Sequence, residues 1–588
     1  MMIHILTVFT LLSILMLPFW LTLSTKVTIA QGPIKLWEFI HPTYYLGLSA
    51  ALVALLTLML GRRNYSRYKP ITHPLFVALI TAMYMQLPSL ALFQYPFSDH
   101  SHHAMPIYWI LRNHDICWPK HLGHPETVSP QLAIAALMMV TSESSAFTLH
   151  RMSLLILPTL MIIYMYLLSR SIGLTRTYSA VTAVLALALT YQLYYFLRQT
   201  YTMPIYVLTA YLIVRSIEDR RYLVPLIVLI PAFISMDPAF VLVTILALAV
   251  YPIVQALRTI LLKLRGVARN IRIKNISLIV MISILLFGSY MLWIFNRYPY
   301  QPRDLYHIAQ HAWDTAMRAL HEPSTLTPKQ QYYWGKPTAL AYNQYYSVLY
   351  DIKALTRVSS IVFGALASLL ILVSRKIRDK IQVVKFLLIF SYFIVTTITI
   401  ITKSYGATFA PWTALACSIA VDLLRKPLYK EISAGEYLKY LICTLAVIVV
   451  ISNSHYLLVP GERLSLQDIK LSFWLSKHLP SGHEVPILVP LTVTGGVFTD
   501  LTYIITNTTI YTYGSIPWKG SISVVINCLK ANNVILPQTV ISIVWERTVL
   551  INKLQSIIET FVLELSNTHN LIYMSGVSNS EYSFWVKT

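Results

Sequence analysis

The sequence predicts an α-helical polytopic membrane protein, with about thirteen spanning helices and a C-terminal α/β domain outside the membrane. Composition is the first observation behind this: 56% of the 588 residues are hydrophobic and only 12% are charged. Soluble proteins are about a quarter charged, so these residues are too few to cover a soluble surface of this size. Recurrent apolar runs and a change in composition after residue 456 are the other two observations.

The apolar runs approach the length of about 20 residues that a helix needs to cross a bilayer. The first run resembles the apolar region of a signal peptide, but it is long and lacks a clear small-residue cleavage site. We therefore interpret it as a helix. The runs are 5–24, 43–60, 73–93, 150–169, 178–197, 203–216, 222–236, 239–257, 276–295, 356–374, 382–401, 409–424 and 437–455.

The loops between these runs alternate in charge. Every second loop is net basic, beginning with 62–69, whereas the short intervening loops carry single charges such as Arg198 or Lys403. The positive-inside rule then predicts a multi-pass membrane protein with a cytoplasmic N-terminus and an extracytoplasmic C-terminal domain. The same loops account for the net charge of +22, so the charge does not indicate a nucleic-acid partner.

Two domains follow from this pattern. Residues 1–456 form the predicted transmembrane domain, with long outside loops at 94–149 and 296–355. A helical stretch at 130–142 is too short to cross and is expected to lie at the membrane interface. Residues 457–588 form the predicted extracytoplasmic α/β domain.

The predicted C-terminal domain alternates strand-like and helical patterns, as small α/β domains do. Its helical patterns are Gln467–His478 and Glu546–Leu565. Its short β-type runs are Val485–Pro490, Tyr503–Ile505, Thr509–Tyr513, Ser523–Ile526, Val540–Val544, Leu571–Tyr573 and Tyr582–Val586.

A dense polar cluster follows the third apolar run, on the predicted outer side, and contains Asp99, His102 and His103. If the stretch is helical, these three side chains share a face. An acid that leaves the bilayer is partly desolvated, which suits it for general-base chemistry. Aspartate with imidazole also suits a divalent metal ion. The alternative is an ordinary hydrophilic cap, with Asp99 capping a short turn that ends before Pro106.

Three predicted outer cations could meet a lipid phosphate: Arg198, Arg297 and Lys403. A fixed cation stabilises a phosphate leaving group. The alternative for each of the three is that it snorkels toward the lipid headgroups or contacts them. Lys403 ranks first because its short loop has no other need of charge. Asp237 precedes Pro238 and is interpreted as a helix cap rather than a base.

The four cysteines do not form a CxxC pair. Cys417 and Cys443 lie inside apolar runs and are interpreted as small core residues. Cys117 and Cys528 could pair outside the membrane, but their spacing alone does not decide this.

Taken together, this layout resembles the GT-C class of membrane glycosyltransferases, which includes oligosaccharyltransferases and protein O-mannosyltransferases. Asp99 with His103 resembles the acidic first-loop motif of prokaryotic members, and the tail is similar to the outer domain of archaeal members. The segments that carry the resemblance are Tyr95–Asp99, Ala146–Arg151, Leu167–Arg170, Phe473–Leu475, Leu479–Gly482, Ile572–Gly576 and Tyr582–Val586.

The resemblance implies a polyprenyl-phosphate-linked sugar donor and transfer to an extracytoplasmic glycan, lipid or protein, in an archaeal-type plasma membrane. Asp99 would be the base or a metal-linked acid. The Trp-Trp-Asp motif of oligosaccharyltransferases is absent, and 198–202 carries no second acid. These departures favour a monosaccharide or small-glycan transferase. The competing hypothesis is a non-enzymatic membrane protein, such as a transporter, lipid handler or assembly platform.

Overall fold

The computed structural model describes most of the predicted transmembrane domain and five strands of the tail. Several helical residues are described by backbone alone, among them 99–103, Arg198 and Arg297. The described residues are 2–23, 40–60, 70–92, 99–118, 127–142, 146–190, 198–264, 276–297, 355, 358–359, 361–366, 369, 380–401, 406–425, 447–448, 450–451, 485–487, 510–512, 533–537, 569–574 and 582–587.

The described part of residues 1–456 is mostly helical. Apart from α4 (Asp99–Asn113), its α-helices coincide with predicted apolar runs or with the predicted helix at 130–142. α2 has the predicted bounds, and α11 begins at the predicted residue. The helices with complete bounds are α1 Met2–Leu23, α2 Thr43–Leu60, α3 Pro74–Leu92, α4 Asp99–Asn113, α5 Ser129–Thr141, α6 Ala146–Ser171, α7 Arg176–Leu189, α8 Arg198–Ser216, α9 Leu223–Ile234, α10 Pro238–Leu264, α11 Ile276–Arg297, α12 Lys380–Ile401 and α13 Ala410–Arg425.

Four of the described helices, α1, α10, α11 and α12, are long and apolar enough to cross a membrane. Their outward faces are apolar: Ile253 on α10 is 68% exposed, and Leu292 on α11 is 67% exposed. Exposed apolar surface on this scale marks contact with a membrane or a partner, and its position on helices of spanning length supports a membrane location. The count of about thirteen spans and their orientation stay predictions.

The first three helices are joined by a buried aromatic group. The Tyr84 hydroxyl of α3 donates to the Ser13 carbonyl of α1 at 2.5 Å, and the Tyr44 hydroxyl of α2 donates to the Tyr84 carbonyl at 2.9 Å. Trp20 packs edge-on against Tyr44, with ring centroids 5.0 Å apart. Tyr84 fits because Gly47 leaves room for its ring, and a Cβ at Gly47 would overlap the Tyr84 hydroxyl.

Gly47→Ala should therefore destabilise the protein by about 1–3 kcal/mol, the typical cost of overpacking a core. The added methyl group displaces the Tyr84 ring and weakens its bond to Ser13. Gly288→Ala is the matched control, because a Cβ at Gly288 in α11 would meet nothing within 4 Å. Alanine is the better helix former, so that variant should be neutral or slightly stabilised. Thermal unfolding of both variants in one detergent checks the prediction, and equal melting temperatures would contradict it.

One end of the helical bundle is held by a polar network around Lys385. Lys385 lies near the start of α12, and its side chain is only 5% exposed. Its Nζ donates to the Ser171 carbonyl at the end of α6 at 2.5 Å, and it forms an ion pair with Glu218. Glu218 also pairs with Arg215 at 2.6 Å. We call these four residues the Lys385 network. The ends of α6 and α8 therefore meet the start of α12. Further along α12, Tyr392 packs against Tyr206 of α8 with ring centroids 6.1 Å apart, so α12 runs opposite to α8.

The described strands form two small sheets. β1 (Val485–Ile487) pairs in parallel with β2 (Ile510–Thr512). β5 (Tyr582–Lys587) is the central strand of the second sheet, antiparallel to both β3 (Asn533–Pro537) and β4 (His569–Met574). Predicted β-type runs overlap β1, β2, β4 and β5, but β3 was not predicted.

The remaining predictions for the tail and loops lie outside the described residues, so the division at 457 stays a prediction. The segments concerned are 298–354, 467–478, 503–505, 523–526, 540–544 and 546–565. Cys528 and Cys443 also lie outside them, whereas Cys117 is exposed and Cys417 is buried, as predicted for a core residue.

Candidate functional site

The predicted polar cluster begins a helix. α4 starts at Asp99, so the backbone condition for Asp99, His102 and His103 to share a face is met. The alternative prediction, a short turn that ends before Pro106, is wrong because Pro106 lies inside the helix. Pro106 cannot donate to the His102 carbonyl. Burial of Ala104, Pro106 and their neighbours offsets that loss.

α4 is fixed by an apolar group that we call the α4–α5 cluster. It joins α4 to α5, to the first turn of α6 and to the first turn of α8. Trp293, near the end of α11, packs against it. Its members are Ala104, Met105, Ile107, Ile110, Trp118, Val128, Ile134, Ala135, Met138, Ala146, Leu149 and Tyr201.

Since α6 and α8 begin at the α4–α5 cluster and end at the Lys385 network, these two groups mark opposite ends of the bundle. α8 was predicted to begin at 203, with Arg198 in a loop. It begins at Arg198 instead, because Tyr201 packs into the cluster while Thr200 and Thr202 are buried beside it in the sequence.

Three of the candidate residues lie close to the α4–α5 cluster along their helices. Asp99 precedes Ala104 by five residues, Arg198 precedes Tyr201 by three, and Arg297 follows Trp293 by four. At the helical rise these separations are about 5–8 Å along each axis. The structure therefore brings the three helix ends to one group, while the side chains of Asp99, Arg198 and Arg297 lie outside the described residues.

The other candidates are located less completely. Lys403 lies outside the described residues, between the end of α12 and a 3-10 turn at Gly406–Phe409. Because α12 starts in the Lys385 network, it ends toward the α4–α5 cluster. The side chains of His102 and His103 are not described. Among the side chains that the structure describes, no group of three His, Cys, Asp or Glu residues could hold a metal ion.

A polar clasp holds α5 against the turn between α9 and α10. The backbone amides of Val128 and Ser129 both donate to the Ser235 carbonyl, at 2.8 and 3.2 Å, and the two serine hydroxyls also bond to each other. Two residues on, Asp237 is 1% exposed and its Oδ1 accepts from the Ala239 amide at 2.9 Å. The predicted role of Asp237 as a helix cap is confirmed.

α5 confirms the predicted short helix, but it is not a typical interfacial helix. Such helices carry a charged face, whereas α5 has no charged residue. One face packs into the cluster through Ile134 and Ala135, and the other exposes Leu137 and Val140. At 13 residues it spans about 20 Å. These features favour a position deeper than the headgroups.

Sequence reasoning missed the residues that assemble the site. Tyr201 and Trp293 belong to no motif that singles them out, and the Ser129–Ser235 clasp joins positions 106 apart in the sequence. The pattern Ala104, Ile107 and Ile110 was a usable signal, because its spacing is that of a buried helix face.

No protein-family model and no curated protein matches the sequence. Among solved structures, the chain is similar to the cryo-EM structure of the arabinofuranosyltransferase AftD from Mycobacteria, at 12% identity and a TM-score of 0.41. The match covers 96% of this chain and 40% of that chain. A similarity this weak assigns neither a fold nor an activity to the chain.

Proposed function

We propose that this protein is a membrane glycosyltransferase that moves a sugar from a polyprenyl-phosphate-linked donor to an extracytoplasmic acceptor. The observation that supports the proposal most is the meeting of three helix ends at the α4–α5 cluster. One end carries an acid, Asp99, and two carry cations, Arg198 and Arg297. Sugar transfer needs a base for the acceptor hydroxyl and a cation for the departing phosphate, and these three residues provide both kinds of group.

The reaction forms one bond and breaks one. The acceptor hydroxyl oxygen attacks the anomeric carbon of the donor sugar, and the Asp99 carboxylate takes the hydroxyl proton. The bond between that carbon and the phosphate oxygen breaks, and the polyprenyl phosphate leaves with the electron pair. Lys403, Arg198 or Arg297 stabilises the charge that develops on the phosphate.

A metal-linked role for Asp99 is the alternative form of the same proposal. Asp99, His102 and His103 stand at i, i+3 and i+4 of α4, a spacing that suits ligands on one helix face. A bound divalent ion would supply additional positive charge for the phosphate. Loss of transfer on chelation, restored by Mg²⁺ or Mn²⁺, would select this form, and insensitivity to chelation would select the simple base.

The cations provide the first test. Replacing a cation that contacts the phosphate should lower kcat/KM for the donor, because a hydrogen bond to a charged group contributes about 1.5–3 kcal/mol. That corresponds to about tenfold to a hundredfold. The variants are Arg198→Gln, Arg297→Gln and Lys403→Gln, measured as transfer from a radiolabelled polyprenyl-phosphate sugar in proteoliposomes.

Arg221→Gln is the matched control, because the Arg221 side chain is 91% exposed near the Lys385 network. Its kcat/KM should equal that of wild type. If all three test variants also behave like wild type, the phosphate-binding role is wrong. If wild type transfers nothing from any polyprenyl-phosphate sugar, the non-enzymatic hypothesis is favoured.

A further inference from the structure

Within the part of the chain that the structure describes, the α4–α5 region contains three buried polar atoms that have no hydrogen-bond partner. They are the indole Nε1 of Trp109, the indole Nε1 of Trp118 and the amide Oε1 of Gln131. Trp118 is 4% exposed and Gln131 is 3% exposed. Trp109 is half-buried on α4 and packs against the α4–α5 cluster, Trp118 belongs to that cluster, and Gln131 lies in the first turn of α5.

Buried tryptophans ordinarily find a partner for the N–H, and buried polar atoms without one call for an explanation. Trp412 shows the ordinary case here. Its N–H donates to the Tyr206 hydroxyl at 2.6 Å, and its ring stacks on Tyr392 at 3.9 Å. Among the described residues, the indole N–H groups of Trp109 and Trp118 have no hydrogen-bond partner, and neither indole ring has an aromatic partner. Two N–H donors and one acceptor oxygen therefore lack a described partner in one region.

We infer that Trp109, Trp118 and Gln131 bind a sugar unit of a glycan acceptor. A sugar offers hydroxyl oxygens to the two indole N–H groups and a hydroxyl hydrogen to the Gln131 oxygen. Its C–H face carries a slight positive charge and packs on the negative face of an indole. Entry of the ring between α4 and α5 needs rearrangement of side chains, which is common where partners bind.

The position along α4 defines the class of acceptor. Trp109 lies ten residues after Asp99, which is about 15 Å along the helix. That distance exceeds one sugar ring, so the sugar at Trp109 is not the one that reacts at Asp99. The acceptor is therefore an oligosaccharide that extends over several units, rather than a monosaccharide or a protein side chain. This inference rests on the proposed function for the role of Asp99.

The test observes the indole N–H groups directly and needs no donor. Selective ¹⁵N labelling of the protein in nanodiscs resolves its 12 tryptophans, and single Trp→Phe variants assign Trp109, Trp118 and Trp412. The probes are linear hexose and pentose oligomers of one, three and five units. We expect an oligomer of at least one sugar type to shift the Trp109 and Trp118 signals while the Trp412 signal stays in place.

Gln131→Leu gives an independent readout. Leucine removes the unpartnered oxygen, so the protein without ligand should melt at the same or a higher temperature, while the affinity for the oligomer falls about tenfold, the effect of one lost hydrogen bond. Unmoved Trp109 and Trp118 signals with every oligomer would overturn the inference and leave buried water as the partner. Such a failure leaves donor-dependent transfer intact, whereas failure of the proposed function abolishes transfer in wild type.

Discussion

The Asp99→Asn protein is expected to fold normally and to transfer sugar about 10²–10⁴-fold more slowly than wild type, the range for losing a positioned base. Asparagine keeps the size of the side chain and one oxygen, but it cannot take the acceptor proton. Asp99 is the first residue of α4. An acid there also favours the helix start by about 0.3–1 kcal/mol, so a slight loss of stability is expected.

The measurement is single-turnover transfer from a radiolabelled donor, with thermal unfolding as the control for folding. Asp115→Asn is the matched variant, because Asp115 is an exposed acid just after α4 and its oxygen accepts from the Cys117 amide at 2.8 Å. Its rate should equal that of wild type. A normal rate for Asp99→Asn would show that Asp99 only begins a helix.

The second large effect is expected in the Lys385 network. Glu218→Ala should cost about 3 kcal/mol of unfolding free energy, at the lower end of the range for breaking a buried ion pair, because Glu218 is about a third exposed. The cost arises because the buried Lys385 ammonium is left without its carboxylate. Lys385→Met should cost less, since methionine fills the space and Glu218 keeps Arg215.

Melting temperatures of the single variants and of Lys385→Met/Glu218→Ala check this prediction. The double variant should recover most of the loss, because it no longer contains a buried unpaired charge. Equal losses in Glu218→Ala and Lys385→Met, with no recovery in the double variant, would contradict the assignment.

The sequence predicted the helices well because a bilayer imposes a length on apolar runs. α2, predicted at 43–60 and found at Thr43–Leu60, is one case. Prediction from the sequence failed where tertiary contacts determine the local structure. Pro106 indicates a helix boundary locally, yet packing of Ala104 and Ile107 carries α4 through it. β3 was missed because Val534, Ile535 and Leu536 form an apolar run without alternation, and pairing with β5 completes the strand.

The candidate site was predictable only in part. The acid and the cations were found because charges are rare next to apolar runs. What joins them is the packing of Tyr201 and Trp293 with the α4–α5 cluster. It depends on contacts between residues far apart in sequence, which no local pattern encodes. The partners of Lys385 were hidden for the same reason, since Glu218 is 167 positions away.

The most direct test of the central claim is to locate the donor on the protein. A photoactivatable polyprenyl-phosphate sugar is cross-linked to the wild-type protein in nanodiscs, and the labelled peptides are identified by mass spectrometry. We predict adducts in the peptides that carry Asp99 and Arg198, suppressed by excess unlabelled donor. Adducts in the peptides that carry Ser171 or Glu218, at the opposite end of the bundle, would contradict the account, as would labelling that the unlabelled donor does not suppress.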